Sequence, residues 1–173
     1  MNATATATTP AAKKPAVDTK RVGGRRDVHY RTMQDLLDDV ERISAGPYRT
    51  VGNWSLAQIC AHVSKALNLA LDGERIPTPW IVRVLARLLF KRRLIEGPMP
   101  AGFQVKGAAV RILIPGVDTG LDQALAALRT SVARWQKGAP THPHFILGPM
   151  TPAQWDSLQL RHAELHMSFV QPE

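Results

Sequence analysis

Residues 151–169, TPAQWDSLQLRHAELHMSF, hold the pattern on which the fold reading turns. Thr151 and Gln154 have capping-box spacing, Pro152 suits the first helical turn, and Met150 can staple onto Trp155. From that start Trp155, Leu158, His162, Leu165, His166 and Phe169 fall within an arc of about 100° at helical periodicity. Two imidazoles therefore sit one turn apart on the apolar stripe of an amphipathic helix. Such a pair can face one metal ion from the same side.

Working outward, the same logic locates three more helices. One is expected from Thr32 to Ala45, with Met33, Leu36, Leu37, Val40 and Ile43 on one face and Gly46 as its stop. A second starts at Ser55, where Ser55 and Gln58 repeat the capping box and Trp54 can staple onto Ile59; it should run to about Leu71, ahead of Asp72-Gly73. A third, marked by Leu121, Leu125, Leu128, Val132 and Trp135, is expected from about Thr119 to Lys137 and ends at Gly138. His62 lies on the second helix beside Ile59, Ala66 and Leu69. The fold class is thus all-α: a four-helix bundle with a long crossover, about residues 72–118, between its second and third helices. Within the crossover, residues 79–93 read as a short helix, with Trp80, Ile81, Val84, Leu85 and Leu88 opposite Arg83, Arg87 and Lys91. Residues 103–114 (FQVKGAAVRILI) read as extended.

Charge sorts the chain further. The net charge of +8 is uneven: residues 1–31 carry seven basic and two acidic side chains, and residues 75–93 carry six basic and none acidic. The remainder is slightly acidic, with nine basic and twelve acidic residues. Residues 1–26, rich in Ala, Thr, Pro, Lys and Arg without an apolar period, read as a disordered basic tail preceding a domain at 27–173. The tail has no apolar core of a secretory signal, and no stretch reaches the ~18 apolar residues of a membrane span. Cys60 is the only cysteine, which excludes an intrachain disulfide and thiolate clusters; its place on an apolar face reads as a buried thiol. A cytoplasmic address is consistent with these features.

The histidine distribution resembles the DinB/YfiT-like superfamily of metal-binding four-helix bundles, with one ligand on the second helix and an H-x-x-x-H pair on the fourth. NWSLAQICAHV, HPHFILGPMTPAQW and RHAELHMSFV narrow the resemblance to the branch known as domain of unknown function 1569, over roughly residues 27–171. The resemblance implies a divalent metal, zinc or nickel, held by His62, His162 and His166, with water in the remaining positions. It also implies, for some members, transferase or isomerase chemistry on low-molecular-weight thiols.

From the residues themselves, three imidazoles and an open position suit a Lewis-acid ion that activates water or a thiol for hydrolysis or group transfer on a small-molecule substrate. Gln159, on the same face just before His162, is a candidate partner for a ligand or a substrate, and His144 a candidate at the site mouth. The di-iron pattern needs E-x-x-H repeats, which are missing, and Glu164 falls on another face of its helix. HExxH and a Gly-rich phosphate loop are missing too. The competing reading is a non-catalytic bundle that binds metal or a partner, or one whose histidines are simply core residues. The apolar side of residues 80–89 offers a homodimer contact. The basic tail and residues 79–93 offer contact with nucleic acid or an anionic membrane.

Overall fold

The computed structural model describes residues 16–103 and 107–173. In chain order the elements are α1 (Met33–Ser44), β1 (Tyr48–Thr50), α2 (Leu56–Asp72), α3 (Trp80–Leu85), a π-helical turn (Ala86–Phe90), α4 (Lys91–Glu96), α5 (Ala108–Leu113), α6 (Leu121–Trp135), α7 (Pro152–Met167) and β2 (Val170–Pro172). The fold is mostly helical. α2 packs along α6 and also meets α7, while α1 touches both α6 and α7. Val40, Leu56, Leu67, Val132, Ala163 and Met167 from these four helices are wholly buried in one apolar core.

The helix starts are set locally. Ser55 Oγ accepts the Gln58 amide while Gln58 Oε1 accepts the Ser55 amide, and Thr151 and Gln154 do the same at α7. Thr32 and Asp35 add a third reciprocal cap at α1. Each satisfies backbone donors that the first helical turn leaves without partners. α2 stops at Gly73, whose φ of 70° lies in the left-handed region open to glycine.

Two features depart from the sequence reading. The first is a small antiparallel sheet, pairing Tyr48 with Pro172, Arg49 with Gln171 and Thr50 with Val170. Three-residue strands are too short for an alternating pattern to register. The second correction concerns residues 103–114. The stretch from Ala108 to Leu113 is α5, not extended chain, and Gly107 with a φ of 62° turns the chain into it. Helix-favouring alanines outweigh the β-branched residues there.

Of the expected tail, residues 1–15 lie outside the described residues. Residues 16–26 carry no helix or strand but touch the body. The Val17 amide donates to Asn53 Oδ1 at 2.8 Å, and the Arg26 amide donates to the Ser168 carbonyl at 2.8 Å. The Arg26 guanidinium grips both carboxylate oxygens of Asp39, at 3.0 and 2.6 Å.

Candidate metal centre

Helical periodicity turns His162 and His166 of α7 toward α2, and the α2–α7 contact brings His62 against them. His162 Nε2 lies 3.1 Å from His62 Nε2 and 3.1 Å from His166 Nε2. The three ligand atoms all lie within 4.8 Å of one another. His62 is buried, whereas His162 and His166 keep part of their surface in solvent.

Proton bookkeeping shows what such a cluster lacks. His62 Nδ1 lies 2.9 Å from the Leu113 carbonyl oxygen, an obligate acceptor, so Nδ1 carries the proton and Nε2 presents a lone pair. His162 Nε2 has at most one proton, yet faces two nitrogens at the same 3.1 Å. Neutral imidazoles cannot give each contact a proton of its own. Protonation does not supply the missing charge at neutral pH. Burial holds His62 below its ordinary range, pushes His162 down to about 3, and takes His166 well below its usual value, with the neighbouring imidazoles adding to the last two. Three converging imidazole nitrogens with too few protons to hydrogen-bond one another fit a cation at their focus. In a tetrahedral set with zinc–nitrogen bonds of about 2.05 Å, adjacent ligand atoms stand about 3.3 Å apart; in an octahedral set, about 2.9 Å. The two spacings of 3.1 Å from His162 fall between them, and the His62–His166 spacing lies within 4.8 Å.

Trp54 is the residue that sequence reasoning undervalued. Placed as a staple for α2, it also stacks on His166, with ring centroids 5.2 Å apart and planes 10° from parallel, and lies against His62 at 4.8 Å. Its position immediately before the Ser55 cap was the available signal. Leu113, the carbonyl partner of His62, closes α5, the helix misread as extended.

Gln159 is buried on the α7 face that carries the pair, and its amide makes no hydrogen bond among the described residues. His144 is not brought to the trio. Its ring contacts are Phe145 and Trp155, and its Nδ1 accepts the amides of Ile146 and Leu147 at 3.1 and 3.0 Å. His142 packs against Trp155 and over Gly73. His29 is largely exposed beside Glu164. Glu164 itself is buried on another face of α7, where it accepts the Tyr30 amide at 2.7 Å and pairs with Arg161 at 2.6 Å. Cys60 is buried in the core, and burial raises its thiol to about 12, which suits an inert side chain.

No curated protein and no solved structure matches the chain. The model of a family described as protein of unknown function (DUF1569) matches residues 23–173. That span includes all three converging histidines, Trp54 and Arg26, and on this match the chain belongs to the DUF1569 family.

Proposed function

We propose that this chain is a four-helix bundle of DinB-like type that holds one divalent metal ion, zinc or nickel, on the Nε2 atoms of His62, His162 and His166. The observation that carries this reading is the convergence of three imidazoles whose nitrogens lie within 4.8 Å of one another, two of the spacings being 3.1 Å. An ion held there supplies Lewis acidity, lowering the pKa of water or a thiol bound to it and so favouring hydrolysis or group transfer.

The chain's own residues have distinct parts in this scheme. The hydrogen bond from His62 Nδ1 to Leu113 selects the tautomer that leaves Nε2 free, and raises that nitrogen's basicity. Trp54 fixes the His166 ring by stacking and excludes water from one side of the cluster. Gln159, on the α7 face that carries the pair, is suited to hydrogen-bond a substrate or water beside the ligands.

The test is the metal content of tag-free protein by elemental analysis, with binding followed by calorimetry. One equivalent of zinc or nickel is expected in the wild type. Loss of at least about tenfold in affinity is expected for His162→Ala, since one of three ligands is gone. Equal affinity in the variant would refute the assignment.

A further inference from the structure

We propose that the apolar side of residues 80–90 is a docking surface for anionic lipid bilayers. No residue of α3, the π-helical turn or α4 is buried. Trp80 is 71% exposed, Leu88 77% and Leu89 64%, with Ile81, Leu85 and Phe90 each about half exposed or more. Large apolar side chains concentrated on one short segment form the type of patch that soluble surfaces normally avoid. The orientation of the segment is the telling detail. An amphipathic helix on a protein surface turns its apolar side inward and its cations to solvent. Here part of the basic side faces the body. The Arg87 guanidinium lies over Gly148, where an added Cβ would come within 2.8 Å of its Nε, and Lys91 Nζ donates to the Pro149 carbonyl. The apolar side is left facing outward.

Charge decides the occupant. From Trp80 to Glu96 there are five cations and one carboxylate, and that carboxylate, Glu96, is paired with Arg92 at 2.7 Å. Arg83 and Arg93 have no carboxylate partner among the described residues. A symmetric contact with a second copy would set these like charges against one another. Nucleic acid would neutralise the cations but leave the apolar side chains in water. An anionic bilayer answers both features: the apolar side chains sink below the headgroups and the cations stay at phosphate level. The geometry is that of a helix lying in the interface, since no helix among the described residues is long and apolar enough to cross a membrane.

Sedimentation of the full chain with vesicles tests this. Binding is expected to mixed phosphatidylglycerol–phosphatidylcholine vesicles and not to pure phosphatidylcholine. Leu88→Glu/Leu89→Glu alters exposed positions, so circular dichroism should be unchanged while vesicle partitioning falls at least about tenfold. Arg83→Gln/Arg93→Gln should lower binding to the anionic vesicles. The fluorescence of Trp80, the most exposed of the tryptophans, should shift to the blue on binding, and Trp80→Phe should remove that shift. Failure to sediment with anionic vesicles, or equal sedimentation of the Leu88/Leu89 variant, overturns the proposal. So does a dimer seen by analytical ultracentrifugation that this variant abolishes while neither protein binds vesicles; the face would then belong to a second copy.

Discussion

A histidine reports its surroundings through the protons it refuses, and this chain contains two separate instances. At the cluster, the imidazoles are neutral because they are buried and close together, and Trp54 contributes to that burial by lying over His166 and against His62. Removing the indole as Trp54→Ala should admit water and loosen the His166 ring, weakening zinc affinity by about tenfold, with Trp54→Phe recovering most of the loss. Calorimetric titration of both variants checks this, and equal affinities in wild type and Trp54→Ala would count against it. At the loop before α7, burial pushes His144 down to about 4, with His142 and Lys91 adding to the effect. Its Nδ1 accepts two amides and cannot do so once protonated. Between an unfolded value of 6.5 and a folded value of about 4, the unfolded chain binds a proton here that the folded chain does not. Stability therefore falls as pH drops through that window. In His144→Asn, whose side-chain oxygen can still accept, urea midpoints measured across the window should decline less steeply than in wild type.

The four long helices were legible because their signals are local and redundant. Ser55 with Gln58, Thr151 with Gln154, and the apolar stripes behind them all point the same way, and the structure contains both capping boxes. The same periodicity put His162 and His166 on one stripe and His62 on an apolar face of another helix; that the three meet was what the family resemblance implied. What could not be read depends on tertiary context. β1 and β2 gain their pairing only when the chain end returns to Pro47–Thr50, and α5 is a six-residue helix in a stretch whose valines and isoleucines suggest a strand. Residues 79–93 were legible as a helix, but not the π-helical turn at Ala86–Phe90, the continuation to Glu96 or the orientation, since nothing in a single sequence says which side a neighbouring loop will cover. α5 matters because its last residue supplies the carbonyl that holds His62. It begins at Gly107, whose φ of 62° and ψ of −133° a side chain would strain. Gly107→Ala should cost about 1–3 kcal/mol locally, displace Leu113 from His62, and reduce metal affinity by about tenfold. Hydrogen exchange confined to α5, read together with a zinc titration, tests this. Unchanged affinity would show that α5 does not position the ligand.

On the scale of the whole molecule, the question is where the folded unit begins. Composition places the boundary after residue 26, where the basic, apolar-poor stretch ends. Composition cannot show that two of those cations reach the far end of the chain. Arg25 donates from Nε and Nη2 to Ser168 Oγ at 2.9 and 2.8 Å, and its guanidinium lies 4.5 Å from the centre of the Phe169 ring. Arg26 joins Asp39 of α1 to the Ser168 carbonyl just past α7. Burial alone would raise the Asp39 carboxyl, but hydrogen bonds and charge from Arg26, Tyr30 and Arg42 hold it below its usual range. The family match, from residue 23, takes in this clasp. Two truncations separate the readings. Removing residues 1–22 leaves every one of these contacts in place, so the urea midpoint and zinc affinity should match the full chain. Removing residues 1–27 takes away Arg25 and Arg26, leaving Asp39, only 12% exposed, without the two-pronged Arg26 contact and with Arg42 and the Tyr30 hydroxyl as its remaining partners. Because Arg42 and Tyr30 still hold Asp39, the loss of the Arg26 hydrogen bonds should cost about 1.5–3 kcal/mol. The same cut frees the C-terminal end of α7, one turn from His166, so zinc affinity should fall together with stability. If the shorter chain keeps both its midpoint and its affinity, residues 23–27 are not part of the folded unit.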